Sequence, residues 1–441
     1  MRPLILIAAV GLAMTSADAN AELLVLRGER VLTDARDAAP TAKTLVIRDG
    51  VIVAVLDGAE ASIEGQRQGD EALREFRFGA DQTLLPGLID SHVHLTVNPD
   101  RQWWQSTVIP SEANAIQGVV NAAKTVRAGF TTVRDLGAPR QAAYALRDAI
   151  ADGSVIGPRV LAAGQMISIV GGHADSGNNF RPDVAAALDQ GNTCTGPVQC
   201  AERVRKMSRA GADVIKLAAT GGVLSQQNRG LDQHFTAAEL ASIVSTAKLL
   251  GLKVAAHAHG PRGVAAAALA GVDSIEHGTF VDPAAIADIR KGGAYLVPTL
   301  SPVIAYRENL GKGRYTEVVE AKIRERVAVA GRNIKLAHEA GIPIAFGTDA
   351  GVSDHGRNAE EFELMVELGG MTPREALVAA TVNAADLIGL SREIGTLEVG
   401  KTADVIAVSG DPLADFRALT QVRFVAARGR VVRDPARADP G

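Results

Sequence analysis

Leu84-Leu85-Pro86-Gly87-Leu88-Ile89-Asp90-Ser91-His92-Val93-His94 reads as a buried strand that ends in two histidines two residues apart. Side chains at i and i+2 of a strand share a face. Two imidazoles displayed together on a rigid strand end make half of a metal site. Taken alone, the stretch is also compatible with a pair of partly buried structural histidines. The rest of the chain separates the two readings. Ala212-Asp213-Val214-Ile215-Lys216 ends in lysine, and Ile344-Ala345-Phe346-Gly347-Thr348-Asp349 ends in aspartate. Leu252-Lys253-Val254-Ala255-Ala256-His257 and Val272-Asp273-Ser274-Ile275-Glu276-His277 both end in histidine. Each is a short β-like run followed by turn residues, and helical segments separate the runs. Metal ligands and acid/base groups at successive strand ends are what a (β/α)8 barrel puts at its catalytic face.

Eight strand candidates cover residues 85–94, 131–135, 159–165, 214–218, 254–259, 274–277, 295–299 and 344–349. Alanine-rich helical patterns intervene, for example at 202–210, 237–250 and 324–340. Repeated β-then-α order predicts a parallel sheet, and eight units of this length favour a closed α/β TIM barrel over an open sheet. Short strands are also expected at 23–26, 45–48 and 51–55, with similar ones at 404–408 and 422–432. Two β segments flanking a barrel predict one small β domain built from both chain ends, residues 22–83 plus 393–441, around a barrel of residues 84–392.

With 46 basic and 50 acidic residues and a net charge of -4, nothing favours nucleic acid or an anionic membrane surface as partner. The N-terminus has the form of an export signal over residues 1–21: Arg2, then an apolar core of about ten residues from Leu4 to Ala13, too short to span a bilayer. Ala17-Asp18-Ala19 and Ala19-Asn20-Ala21 both fit a small-x-small cleavage site. No other segment has the length of a membrane span, so the mature protein is expected in the periplasm or medium. Cys194 and Cys200 lie close together in a polar stretch. In an exported protein such a pair forms either a local disulfide or two free thiols, and sequence does not choose between them.

The ordered set His92, His94, Lys216, His257, His277 and Asp349 resembles the amidohydrolase superfamily. That pattern is His-x-His after barrel strand 1, Lys after strand 4, His after strands 5 and 6, and Asp after strand 8. The resemblance runs from about residue 22 to 432, and Lys401-Thr402-Ala403-Asp404 resembles the closing strand of the family's composite β-sandwich. It implies two divalent ions, zinc or another divalent metal: His92, His94 and Asp349 on the more buried one, His257 and His277 on the other. It further implies that Lys216 is carboxylated, because an ammonium cannot ligate a metal whereas a carbamate can bridge two. Asp349 would then be both ligand and general acid/base for hydrolysis of an amide by activated water. A homo-oligomer is also implied.

Within the superfamily the runs look most like the dipeptidase group. Its members release a C-terminal amino acid from dipeptides or N-acyl amino acids, and some hydrolyse ochratoxin A. Imidazolonepropionase and the deaminases use one metal and lack the bridging lysine, so Lys216 counts against them. A zinc-binding protein without activity is the non-enzymatic alternative. Weaker candidates are His259, the rival strand-5 ligand; His173, placed to contact the scissile carbonyl or oxyanion; and Gly221 and Gly222, placed to let backbone N–H groups approach a substrate. Trp103 and Trp104 either line the pocket or pack a lid. N-terminal sequencing of protein recovered from the periplasm or medium should show the first 19 or 21 residues removed; an intact Met1 overturns that reading.

Overall fold

The computed structural model describes residues 22–110, 112–227 and 230–437. The expected signal segment, 1–21, lies outside them. The strand Glu22–Val31 organises the N-terminal part. Its alternation sends Leu24 and Leu26 into one apolar cluster and Leu23 and Val25 into another, and a register shift between Gly28 and Val31 turns Val31 into the first, so both of its faces are covered. It pairs antiparallel with Thr41–Arg48 and parallel with Ala72–Phe78. The sheet runs Arg430–Arg433, Val422–Ala427, Val405–Ser409, Gln82–Pro86, Glu22–Val31, Thr41–Arg48, Val51–Asp57, with Ala72–Phe78 branching from Glu22–Val31. Both ends of the chain thus share one eight-stranded sheet. Phe424, fully buried, seals it, with ring centroids 5.0 Å from Phe76 and 5.3 Å from Phe78.

The expected first barrel strand, 85–94, is not one strand. Gln82–Pro86 pairs antiparallel with Val405–Ser409, whereas Leu88–Val93 pairs parallel with Phe130–Asp135. The chain changes sheets at Gly87, whose N–H bonds the Asp404 carbonyl, while the next N–H bonds Gly129. A Cβ at Gly87 would stand 2.2 Å from Thr131 Oγ1, so only glycine allows this crossing.

Beyond Gly87 the strands are parallel. Leu88–Val93, Phe130–Asp135 and Arg159–Ala162 form one sheet; Val214–Ala218, Lys253–Ala258, Ser274–His277 and Tyr295–Val297 form another. Backbone bonds link them on both sides. Ile167 N–H reaches Lys216 O at 2.8 Å and Ala218 N–H reaches Ile167 O at 2.9 Å. On the other side Ala345 N–H bonds Leu296 O at 3.0 Å, Ser91 N–H bonds Phe346 O at 2.8 Å, and His94 N–H bonds Ala350 O at 2.7 Å. The expected strand 344–349 is therefore in place but irregular, with bridges only at Ile344 and Ala350. Two causes are visible: Phe346 gives its N–H to the Ala379 carbonyl, and Asp349 turns out of extended geometry at φ 59°.

The helices between strands have ordinary start and stop chemistry. Thr236 and Glu239 form a reciprocal cap on Ala237–Leu249, Asp282 caps Pro283–Gly292, and Gly211, Gly271 and Gly293 end their helices in the left-handed conformation. Cys194 and Cys200 are joined in a disulfide at the start of Gly196–Ala210, both buried. Among the described residues no helix is long and apolar enough to cross a membrane. Truncating Phe424 to Ala should cost about 3–5 kcal/mol, read as a lowered midpoint in thermal or denaturant unfolding; an unchanged midpoint would mean that the two chain ends are not held together by this ring cluster.

Candidate metal centre

The strand ends converge on one cavity of about 100 Å³, lined by His92, His94, His173, Lys216, His257, His259, His277 and Asp349 among others. Two groups have ligand atoms within 4.8 Å of one another: His92, His94 and Asp349, and His257, His259 and His277. Asp349 Oδ1 lies 3.5 Å from His92 Nε2 and 3.2 Å from His94 Nε2. His257 Nδ1 faces His277 Nε2 at 2.9 Å. Lys216 is fully buried, and its Nζ is 3.3 Å from His92 Nε2. Asp213, the surface partner that an ordinary lysine would seek here, pairs instead with Arg147 at 2.7 Å.

Whether these groups fit a cation is decided by their other contacts. His92 Nδ1 lies 2.8 Å from Glu276 Oε2, and a carboxylate only accepts, so His92 carries its proton there and turns a bare Nε2 inward. His94 Nδ1 donates to Gly137 O at 2.9 Å, and His257 Nε2 donates to Gly221 O at 3.2 Å, leaving Nε2 and Nδ1 respectively toward the cavity. Nitrogen lone pairs facing a carboxylate and one another in a dry site match a divalent cation better than they match each other. Burial, then the positive charge of Lys216, pushes the His92 imidazolium down to about 4. Burial likewise holds His257, His259 and His277 well below the usual histidine value. Neutral imidazole is the ligand form. Burial alone would raise the Asp349 carboxyl, but its contact with His94 and the charge of Arg326 outweigh it and keep it ionised; the same contact raises His94, whose Nε2 proton a bound cation would displace.

Glu276 is a functional residue that the sequence pattern did not single out. Its Oε1 meets Arg134 Nη2 at 2.9 Å and the Ser274 hydroxyl, and Arg134 Nε bonds Ser91 O at 2.6 Å. Burial raises the Glu276 carboxyl, but Arg134 and His92 together bring it down to about 2. The only available signal was an acid inside an otherwise apolar strand. Three non-glycine residues at the rim sit in the left-handed region: His277 (φ 74°), Thr299 (φ 49°) and Asp349 (φ 59°). Such strain persists only where surrounding contacts over-determine it; here Asn333 Nδ2 grips His277 O at 2.5 Å and His92 O takes the Asp349 N–H at 2.7 Å.

The weaker candidates fall out unevenly. His259 enters the second group: its Nδ1 is 2.8 Å from Thr279 Oγ1 and its ring stacks on His277 at 4.7 Å. His173 lines the cavity, stacks on His257 at 4.4 Å and meets Ser225 Oγ through Nδ1 at 2.7 Å; burial, then Lys216, lowers it to about 4. The expectation for Gly221 needs correction. Gly221 N–H is already bonded to Asp232 O, and its carbonyl orients His257. Gly222 makes room for a side chain, since a Cβ there would lie 2.2 Å from the His173 ring. Trp103 packs on Phe180, ring centroids 5.2 Å apart and tilted by 42°, beside a different cavity, away from the histidines. Arg326, Tyr306, Met166, Val223, Leu224 and Val352 complete the lining.

Glu276→Gln presents an NH2 group to a donor at one end or the other, so His92 loses its fixed tautomer. Metal affinity should fall about 10–100-fold in a chelator competition; unchanged affinity would show that His92 needs no orienting partner.

The amidohydrolase family model matches residues 83–432. An ochratoxinase from Aspergillus niger is 31% identical over 362 residues, covering 78% of this chain and 73% of the relative. Imidazolonepropionase from Symbiobacterium thermophilum is 28% identical, covering 92% and 93%. Among solved structures, a Xaa-Pro dipeptidase with methionine bound in its active site superposes with a TM-score of 0.84 at 35% identity, covering 93% of this chain and 99% of that one. A prolidase complexed with N-methylphosphonate-L-proline gives 0.82 at 29% identity, covering 93% and 100%. The chain belongs to the amidohydrolase family, hydrolases acting on amide and peptide bonds.

Proposed function

We propose that this is an exported, binuclear metal-dependent amidohydrolase that releases a C-terminal amino acid from dipeptides or N-acyl amino acids. The observation that carries the reading is Lys216, buried against His92 in the cavity that both ligand groups line. We read the linked parallel segments as a (β/α)8 barrel with this site at its C-terminal face. His92, His94 and Asp349 would hold one ion, His257 and His277 the second, and a carboxylated Lys216 both. When bound, the ions supply Lewis acidity for the scissile carbonyl and acidify a water. The chain does the rest. Asp349, ionised and turned into the cavity, takes the proton of the attacking water and passes it to the leaving amine. His173, with Ser225 donating to its Nδ1, presents Nε2–H to the developing oxyanion. His259 lies on the same side, toward the substrate.

The dipeptidase-like and prolidase-like neighbours support this class of substrate. The 31% identical ochratoxinase keeps ochratoxin A, an N-acyl amino acid, within the proposed substrate class. Assay of zinc-loaded mature protein against dipeptides and N-acyl amino acids tests the proposal: turnover of at least one series is expected, and bound zinc with no amide hydrolysed would indicate a binding protein.

Carboxylation is the addition of CO2 to a neutral amine, with loss of one proton. Burial pulls Lys216 down to about 8, so the reactive form gains as pH rises through that value. Reconstitution of metal-free protein with zinc and bicarbonate should therefore be faster at pH 8.5 than at about 6.5. Lys216→Ala should bind metal poorly and lose most activity, and a short carboxylic acid should restore part of it. Lys216→Arg should fare no better, because guanidinium stays charged. Full activity with two metals in Lys216→Ala would make the residue an ordinary lysine.

A further inference from the structure

We propose that Arg326 is the anchor for the free α-carboxylate of the substrate, which makes the enzyme selective for acids over the corresponding amides. The proposal deepens the reading above and rests on it for the reaction, though not for the binding.

Arg326 lies on the helix Glu317–Ala328 and is only 3% exposed, yet it lines the cavity that holds the histidines and Asp349. Its Nη2 donates to Thr299 O at 2.6 Å, and its guanidinium lies 5.5 Å from the centre of the Tyr306 ring. These contacts aim the group but do not neutralise it. Among the described residues no carboxylate comes within ion-pair distance of Arg326. The other buried arginines show the contrast: Arg134 has Glu276 at 2.9 Å and Arg27 has Glu75 at 3.1 Å. Asp349, the carboxylate of the cavity, is near enough for the Arg326 charge to help keep it ionised but forms no ion pair with it, lying instead 3.2 Å from His94. A desolvated cation without an anion is costly to fold around, so one held beside a reactive centre marks where an anion is to arrive. A guanidinium takes a carboxylate through two parallel N–H bonds. Around it Met166, Val223, Leu224 and Val352 give apolar walls. Lys322, one turn earlier, fastens the segment bearing Val223 and Leu224 by donating to the carbonyls of Gly222 and Ser225. Carboxylate anchor plus apolar wall describes the C-terminal half of an N-acyl amino acid with an apolar side chain.

The test compares N-acetyl-L-methionine with N-acetyl-L-methioninamide on the zinc-loaded full chain. Wild type should prefer the acid by about 100-fold in kcat/KM, the scale of one desolvated charge pair. In Arg326→Met that ratio should fall below about 5. Arg326→Lys, which keeps a charge and a donor for Thr299 O, should give an intermediate ratio and guards against a folding defect in the first variant. A variant ratio equal to that of wild type overturns the proposal. Turnover is not required for a decision. In calorimetry, L-methionine should bind wild type at least about tenfold more tightly than L-methioninamide, and Arg326→Lys should narrow the gap. If no N-acyl amino acid is hydrolysed but this binding preference follows Arg326, the hydrolase reading fails and the anchor stands. If hydrolysis proceeds and the preference ignores Arg326, the anchor fails alone.

Discussion

Glu276 holds His92 on one oxygen and Arg134 on the other, and most of the site depends on that fixed carboxylate. It is fully buried, a place where a charge survives only if every lone pair has a partner. Arg134 supplies the neutralising charge and, through Ser91 O, ties the network to the backbone of the first parallel strand. The consequence is a histidine whose proton and ring plane are both predetermined. Lys216 then lies against His92 Nε2, and Asp349 against His92 and His94. One anion thereby sets the geometry of residues drawn from three separate strand ends.

The same logic of oriented donors extends around the cavity. Each inward nitrogen is defined by an outward contact: Gly137 O for His94, Gly221 O for His257, Thr299 for His277 and Thr279 for His259. These partners are backbone carbonyls or threonines from loops that follow the strands. His355, from a later loop, supports the His94 carbonyl and touches Thr125. Preorganisation of this kind means the ligand set does not have to be assembled by the ion it binds.

The inward-pointing candidate ligands stood out in the sequence because strand periodicity and chain order both constrain them: His92 and His94 share a face, and each later candidate ends an apolar run. Several features were not. Gly87 hides a change of sheet inside what reads as one apolar strand, because both halves are buried and apolar. The 344–349 segment has the composition of a strand, but a helix residue takes one of its hydrogen bonds. Arg326 comes from a helix whose periodicity says only that one face is buried, and nothing local distinguishes a core arginine from a surface one. Glu276 was in plain view beside His277, yet its partner Arg134 lies on a strand far away in the chain. Residues that act through long-range pairs leave little local trace.

The shared sheet also has a temporal side. Gln82–Pro86 emerges early in synthesis, but its antiparallel partner Val405–Ser409 emerges near the end. At about 5–20 residues per second the interval is on the order of tens of seconds. Throughout it the N-terminal strands present an open, apolar edge with no partner from their own chain. A nascent chain of this protein is thus exposed to mispairing until its last strands are made, and any factor that holds such edges apart would act on that intermediate rather than on the finished molecule.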